Sequence, residues 1–113
     1  MTGITTHVLD TAAGRPAAGV AVRLERRVAE SWQVQGAGTT DAGGRIARLL
    51  PEGEVLRAGS YRLTFETGSY FAAQGVHAFH PAVDVQFEVE AGRQHCHVPL
   101  LVAPYGYSTY RGS

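Results

Sequence analysis

The chain has 113 residues with ten basic and ten acidic side chains, so its formal net charge at pH 7 is zero. This balance gives no electrostatic reason to bind nucleic acid or an anionic membrane surface. Hydrophobic residues make up 44% of the chain and charged residues 18%, which excludes disorder and predicts a single domain over residues 1 to 113. All ten basic residues are arginines, which excludes chemistry that needs a lysine amine.

The predicted strands are short segments of alternating polar and apolar residues, with glycine, proline or aspartate between them. In chain order they cover residues 4 to 11, 18 to 27, 32 to 39, 45 to 50, 60 to 67, 83 to 90, 95 to 103 and 106 to 112. In the turn TDAGGR, Asp41 is followed by two glycines. The sequence therefore predicts an all-β sandwich or barrel.

The segment TGSYFAAQG breaks this alternation after the fifth predicted strand. Ser69 suits a helix N-cap, residues 70 to 74 can form one or two helical turns, and Gly75 suits a left-handed end. A helix this short is not stable alone, so we expect it to lie against the sheets.

Alternation also predicts which side chains share a face. In the seventh predicted strand the apolar face consists of Cys96, Val98, Leu100 and Val102. We expect this face to form the core, with Cys96 as an inert buried thiol. The outward face of the first and last two strands carries His7, His97, Pro99, Leu101, Ser108 and Tyr110. It is too apolar for open solvent, which predicts a pocket wall or a subunit interface.

The single cysteine cannot form an internal disulfide, so no oxidising compartment is required. Residues 1 to 10 lack the features of a secretion signal, and no apolar run approaches the roughly 20 residues that span a bilayer. We therefore expect a cytoplasmic protein with neither a membrane nor a nucleic-acid partner.

The histidines allow two kinds of chemistry. His95 and His97 share a face, and His7 could complete a zinc site, although this spacing is weak evidence for a metal. Alternatively, His7 or His97 could move protons near neutral pH, with an adjacent arginine favouring the neutral imidazole and holding an anionic substrate. No nucleophile elbow or phosphate-binding loop is present in the sequence.

Three segments together resemble the 5-hydroxyisourate hydrolases, the transthyretin-like enzymes of urate breakdown. They are HVLDTAAGRPAAGV, GGRIARLL and HVPLLVAPYGYSTYRGS, whose final YRGS is the signature of that family. The carrier transthyretin shares the fold but lacks these histidines and this tail. The resemblance implies a transthyretin-like β-sandwich of about eight strands with one short helix after the fifth strand.

The resemblance also implies the site. Its catalytic positions are His7, Arg45, His97 and Ser113, and its substrate-binding positions are Ser108, Tyr110, Arg111 and Gly112. It implies a homotetramer with sites at subunit interfaces, no metal and no cofactor. The reaction would open the six-membered ring of 5-hydroxyisourate to give 2-oxo-4-hydroxy-4-carboxy-5-ureidoimidazoline. His97 is the first choice for the general base, while His7 stays a candidate.

One departure and two alternative functions accompany this resemblance. The family commonly has an aromatic residue such as tyrosine where this chain has Cys96, on the face expected to point away from the site. A carrier could bind a planar ligand in the same channel without turnover. The middle of the chain also resembles structural sandwich modules of the Cna-B type, which would be monomeric.

Overall fold

A computed structural model describes residues 3–113, which fold into two β-sheets and one short helix. The elements are β1 (Gly3–Asp10), β2 (Arg15–Pro16), β3 (Ala21–Val28), β4 (Ser31–Thr39), β5 (Arg45–Ile46), β6 (Gly59–Phe65), α1 (Thr67–Ala72), β7 (Val83–Val89), β8 (His95–Ala103) and β9 (Gly106–Thr109). The all-β prediction is confirmed.

The first sheet has the strand order β2-β1-β8-β9, with β5 also paired to β1, and the second has the order β4-β3-β6-β7. Strands β1 and β8 run parallel, which places Thr5 beside His97 and His7 beside Pro99. The other strand pairs are antiparallel. The first sheet therefore brings the beginning and the end of the chain together.

The core lies between the two sheets and uses alternate residues of their strands. The apolar face predicted for β8 is buried, with Leu100 fully buried and Cys96 only 5% exposed. Large side chains from both sheets complete this core, among them Ile4, Leu24, Tyr61, Leu63 and Phe65. Burying one such side chain contributes roughly 1.5 to 3 kcal/mol, so alternation fixes which face of each strand turns inward.

Several strand boundaries differ from the prediction. The predicted strand 45 to 50 pairs only over Arg45–Ile46, because Leu49 and Leu50 are buried in the core outside any strand ladder. A two-residue strand, Arg15–Pro16, lies in the segment predicted as a turn. Residues 3–113 thus contain nine strands instead of about eight, and the helix follows the sixth.

The last predicted strand, 106 to 112, is interrupted opposite Pro99. Regular pairing of β9 with β8 ends at Thr109, and an isolated bridge joins Gly112 to His97. The register places Pro99 opposite Tyr110, where proline has no N–H to donate. The hydroxyl of Thr109 donates to the Pro99 carbonyl at 2.7 Å. Strand β8 can contain a proline because the neighbouring segment forms no ladder pair with β8 at that position.

The short helix begins earlier than predicted. Its N-cap is Glu66 and no side chain caps it, so the prediction of Ser69 as the cap is wrong. Its start is held instead by the Gly68 N–H, which donates to the Pro81 carbonyl at 3.0 Å. Gly75 has φ +73° as predicted for the left-handed end, and buried Phe71 anchors the helix on the core. In the part of the chain described, no helix is long and apolar enough to cross a membrane.

Candidate active site

A cleft of about 260 Å³ lies on the outer face of the first sheet. Its lining residues are Thr5, Thr6, Arg45, Ile46, Ala47, His97 and Ser113. Strands β1 and β8 supply Thr5 and His97, β5 supplies Arg45, and the tail supplies Ser113. His7 is the strand partner of Arg45. The structure therefore brings all four predicted catalytic positions to one region of the molecule.

The loop before β5 fixes the position of Arg45. The Asp41 carboxylate accepts hydrogen bonds from the backbone N–H groups of Gly43 and Arg45, both at 2.9 Å. The Gly44 carbonyl accepts from the Val8 N–H at 2.7 Å, which ties the loop to β1. The side chain of Arg45 is exposed and forms no salt bridge within residues 3–113. Its guanidinium is therefore free to bind an anion.

The same loop fixes the ring of His7. Its Nε2 lies 3.0 Å from the Gly43 carbonyl oxygen. Because a carbonyl oxygen only accepts, Nε2 carries a proton and donates it. Neutral His7 can therefore accept a proton only at Nδ1.

The ring of His97 is held at Nδ1, whereas that of His7 is held at Nε2. Its Nδ1 lies 2.7 Å from the Thr5 hydroxyl, which is also 3.1 Å from Nε2 of His95. No backbone or side-chain atom between Gly3 and Ser113 forms a hydrogen bond to Nε2 of His97. That nitrogen is the ring position of His97 that the described residues leave free.

The surroundings of His97 favour its neutral form. Burial lowers the pKa of His97 below its ordinary value of 6.5, and the charges of His95, His7 and Arg45 lower this pKa further. Arg45 acts in the direction expected of a nearby arginine, although burial is the larger cause. An imidazole with a lowered pKa is unprotonated at pH 7 and is ready to accept a proton.

The tail packs against His97 at Gly112. The Gly112 N–H donates to the His97 carbonyl at 2.9 Å, and Gly112 is buried. A Cβ atom at position 112 would lie 2.5 Å from Cδ2 and 3.1 Å from Cγ of the His97 ring. Glycine at this position lets the tail pass the imidazole and place Ser113 in the cleft.

The other predicted binding residues lie outside the cleft of one chain. Ser108 and Tyr110 are exposed, and the pairing of Ser108 with Leu101 places Ser108 on the same sheet face as His97. Arg111 lies on the opposite side, where it lines a second cavity with Cys96. Burial raises the pKa of the Cys96 thiol, although Arg93 and Arg111 lower it in part. The prediction of an inert thiol away from the site is consistent with this placement.

The three-histidine zinc site is not formed. Among the residues that the structure describes, no three His, Cys, Asp or Glu side chains come together in a way that could hold a metal ion. Nε2 of His7 is bonded to a carbonyl, and Nε2 of His95 faces the Thr5 hydroxyl. These histidines are used in hydrogen bonds to the protein.

Comparison with known proteins agrees with this arrangement. The model of the HIUase/Transthyretin family matches residues 4–112. This chain belongs to that family. It is 53% identical to the 5-hydroxyisourate hydrolase of Caulobacter vibrioides over the full length of both proteins. The structure of Klebsiella pneumoniae 5-hydroxyisourate hydrolase superposes with a TM-score of 0.85 and 40% identity, covering 97% of this chain and 98% of that one.

A transthyretin structure is also similar to this member of the HIUase/Transthyretin family. Transthyretin from Sparus aurata gives a TM-score of 0.91 at 32% identity, with 99% of this chain and 97% of that chain covered. The backbone alone therefore does not separate the hydrolases of the family from its transthyretins.

Sequence reasoning missed the contact that Thr5 makes in this site. Thr5 lies two residues before His7 and so shares its strand face, but no motif in the sequence gave it a role. Its contact with His97 arises because β1 and β8 pair in parallel with Thr5 and His97 in register. Strand pairing over such a distance in sequence leaves no local signal.

Proposed function

We propose that this protein is a 5-hydroxyisourate hydrolase that acts in urate breakdown. The observation that carries the proposal is His97, held at Nδ1 with Nε2 left free, in the same cleft as Arg45, which forms no salt bridge within residues 3–113. The full-length relatives that bear this name support it. The cleft thus combines a base with a group that binds developing negative charge.

His97 is the general base in this proposal. Its Nε2 takes a proton from water as the water oxygen attacks a ring carbonyl of the substrate. His7 can also accept a proton, at Nδ1, but its side chain does not line the cleft that holds His97, Arg45 and Ser113. A positioned base of this kind contributes about a hundredfold to ten-thousandfold to the rate.

Arg45 stabilises the negative charge that forms on the attacked carbonyl oxygen. No salt bridge competes for its guanidinium within residues 3–113. The intermediate then collapses, the ring C–N bond breaks, and the proton held by His97 passes to the departing nitrogen. The product is 2-oxo-4-hydroxy-4-carboxy-5-ureidoimidazoline, and the sequence of steps uses neither a metal nor an organic cofactor.

Ser113 and the remaining tail residues orient the substrate in a homotetramer. Two features support assembly. Strand β9 is an edge strand of the first sheet, and β7 is an edge strand of the second. Residues of both strands line the cavity beside Cys96. Tyr105 is 75% exposed and Tyr110 60% exposed, and aromatic side chains are enriched where protein subunits meet. Ser108, Tyr110 and Arg111 then complete a site of a neighbouring subunit, in a protein that works in the cytoplasm.

The decisive experiment follows the absorbance of freshly generated 5-hydroxyisourate. We expect rapid loss with the wild type and loss of most of the rate in His97→Asn. His77→Asn, in an exposed loop, is the matched control and should keep the full rate. A chelator should change nothing, and a rate that depends on metal would contradict the proposed mechanism.

A non-catalytic carrier is the second candidate, because the similarity to Sparus aurata transthyretin is as close in backbone as that to the hydrolase. A carrier would bind a planar ligand saturably and leave it intact. A structural module would run as a single 12.1 kDa chain on sizing and would not respond to loss of residues 110 to 113. Either result would replace the hydrolase proposal.

A further inference from the structure

The Thr5 hydroxyl lies between two imidazole rings. It is 2.7 Å from Nδ1 of His97 and 3.1 Å from Nε2 of His95, and Thr5 is only 5% exposed. The strand register explains the arrangement, since His95 and His97 project from the same face of β8 and Thr5 is the β1 partner of His97. The three side chains therefore form a continuous hydrogen-bonded chain.

A hydroxyl has a single proton, so this chain can run in two directions. In one, Nδ1–H of His97 donates to Thr5, and Thr5 donates to Nε2 of His95. In the other, Nε2–H of His95 donates to Thr5, and Thr5 donates to Nδ1 of His97. For neutral imidazoles, only the first direction leaves the lone pair of His97 on Nε2.

The charges in the cleft favour the first direction. Nδ1 of His97 contacts Thr5 and Cδ2 lies against Gly112, so Nε2 is the ring nitrogen left for the cleft. The titratable groups that face this ring are His95 and His7, and the permanently charged group is Arg45. A lone pair directed toward the positive guanidinium of Arg45 is favoured over an N–H directed there.

We propose that Thr5 and His95 are positioning residues that hold neutral His97 in the tautomer with its proton on Nδ1. His95 supplies the acceptor that orients the Thr5 proton, and Thr5 in turn accepts from His97. The lone pair of His97 is then fixed on Nε2 before the substrate arrives. This role rests on the proposed function for its catalytic meaning, but the tautomer itself is a property of the free protein.

The first test measures the tautomer without substrate. Nitrogen-15 shifts of the histidine rings, recorded above the pKa of His97, distinguish a proton on Nδ1 from one on Nε2. We expect Nδ1–H on His97 in the wild type, and a shift toward Nε2–H in Thr5→Val and His95→Leu. Nε2–H on His97 in the wild type, or an unchanged tautomer in both variants, would overturn the proposal.

The second test measures kcat and KM for 5-hydroxyisourate with matched variants. Thr5→Val keeps the shape of the side chain without the hydroxyl, and His95→Leu removes the acceptor. We expect kcat to fall about tenfold in each with KM little changed, the size of one lost hydrogen bond to a reacting group. Thr5→Ser and His95→Gln restore a hydroxyl and an acceptor, so each should recover most of the lost rate.

The two tests separate this proposal from the proposed function. A wild type with Nδ1–H on His97 but no hydrolysis of 5-hydroxyisourate would refute the function and keep the hydrogen-bonded chain. If the wild type is active and Thr5→Val and Thr5→Ser have equal kcat, the proposed function stands and the positioning role of Thr5 is refuted. Thermal denaturation of each variant shows whether a lost rate comes from lost folding.

Discussion

Gly112→Ala places a methyl group against the imidazole ring of His97. The new Cβ atom would lie 2.5 Å from Cδ2 and 3.1 Å from both Cγ and the carbonyl oxygen of His97. Carbon atoms in contact prefer about 3.5 to 4.0 Å, so the closest pair overlaps by about 1 Å. The atoms that must yield belong to a ring and to the backbone of β8, and not to the end of a flexible chain.

The size of the expected loss of activity can be worked out from this overlap. Relief requires the ring or the tail to move by about 1 Å, which strains the 2.7 Å bond from His97 Nδ1 to Thr5 and displaces Nε2. A misplacement of that size can reduce a rate about a hundredfold. Overpacking costs about 1 to 3 kcal/mol of folding free energy, less than the 5 to 15 kcal/mol that usually holds a domain together. Activity should therefore fall much further than stability.

The assay compares kcat/KM for 5-hydroxyisourate with the thermal denaturation midpoint. Gly106→Ala is the matched control, because no heavy atom lies within 4 Å of a Cβ built there and the residue begins β9, the strand that precedes the tail. We expect a loss of about a hundredfold for Gly112→Ala and nearly wild-type kinetics for Gly106→Ala. If Gly112→Ala keeps its activity to within about threefold, the argument that Gly112 supports His97 fails.

Three further predictions concern protonation. Because the pKa of His97 is lowered, kcat/KM should stay high down to pH 6.5 and fall only below it, and Arg45→Gln should move this acid limb to higher pH. Since the unfolded chain binds this proton more readily, the free energy of unfolding should decrease as the pH falls from 6.5 through the lowered pKa. Denaturant titrations of His97→Asn should show a weaker decrease, and an equal slope would contradict this assignment. Burial and the raised pKa of Cys96 predict slow alkylation by iodoacetamide at pH 7 and fast alkylation in denaturant, and equal rates would show that the thiol is accessible.

The fold was largely predictable because alternation is a local property of a strand. Strand β8 was predicted with its observed bounds, His95–Ala103, and its buried face was assigned correctly. The errors occur where an apolar residue is buried without belonging to a ladder, as with Leu50, and where tertiary packing replaces a side-chain cap, as at Ser69. Neither situation leaves a periodic signal in the sequence.

The candidate site was predictable in part. Family motifs named His7, Arg45, His97 and Ser113, and the structure brings them together around one cleft. Their catalytic roles remain predictions. The motifs also named Arg111, which lines the cavity beside Cys96 and not the cleft that holds His97.

The sequence by itself determined which side chains share a face of each strand. Successive side chains of a strand point to opposite faces, and this does not depend on which strand lies beside it. The sequence therefore placed His97 outward and Cys96 inward. Only the tertiary structure decided which strand lies beside β8, since pairing depends on contacts between distant segments. That parallel pairing places Thr5 beside His97. Because Pro99 has no N–H, regular pairing of the last segment with β8 stops before it and resumes only where Gly112 pairs with His97. The position of the histidine is local information, whereas the state of its proton depends on the neighbours that folding brings to it.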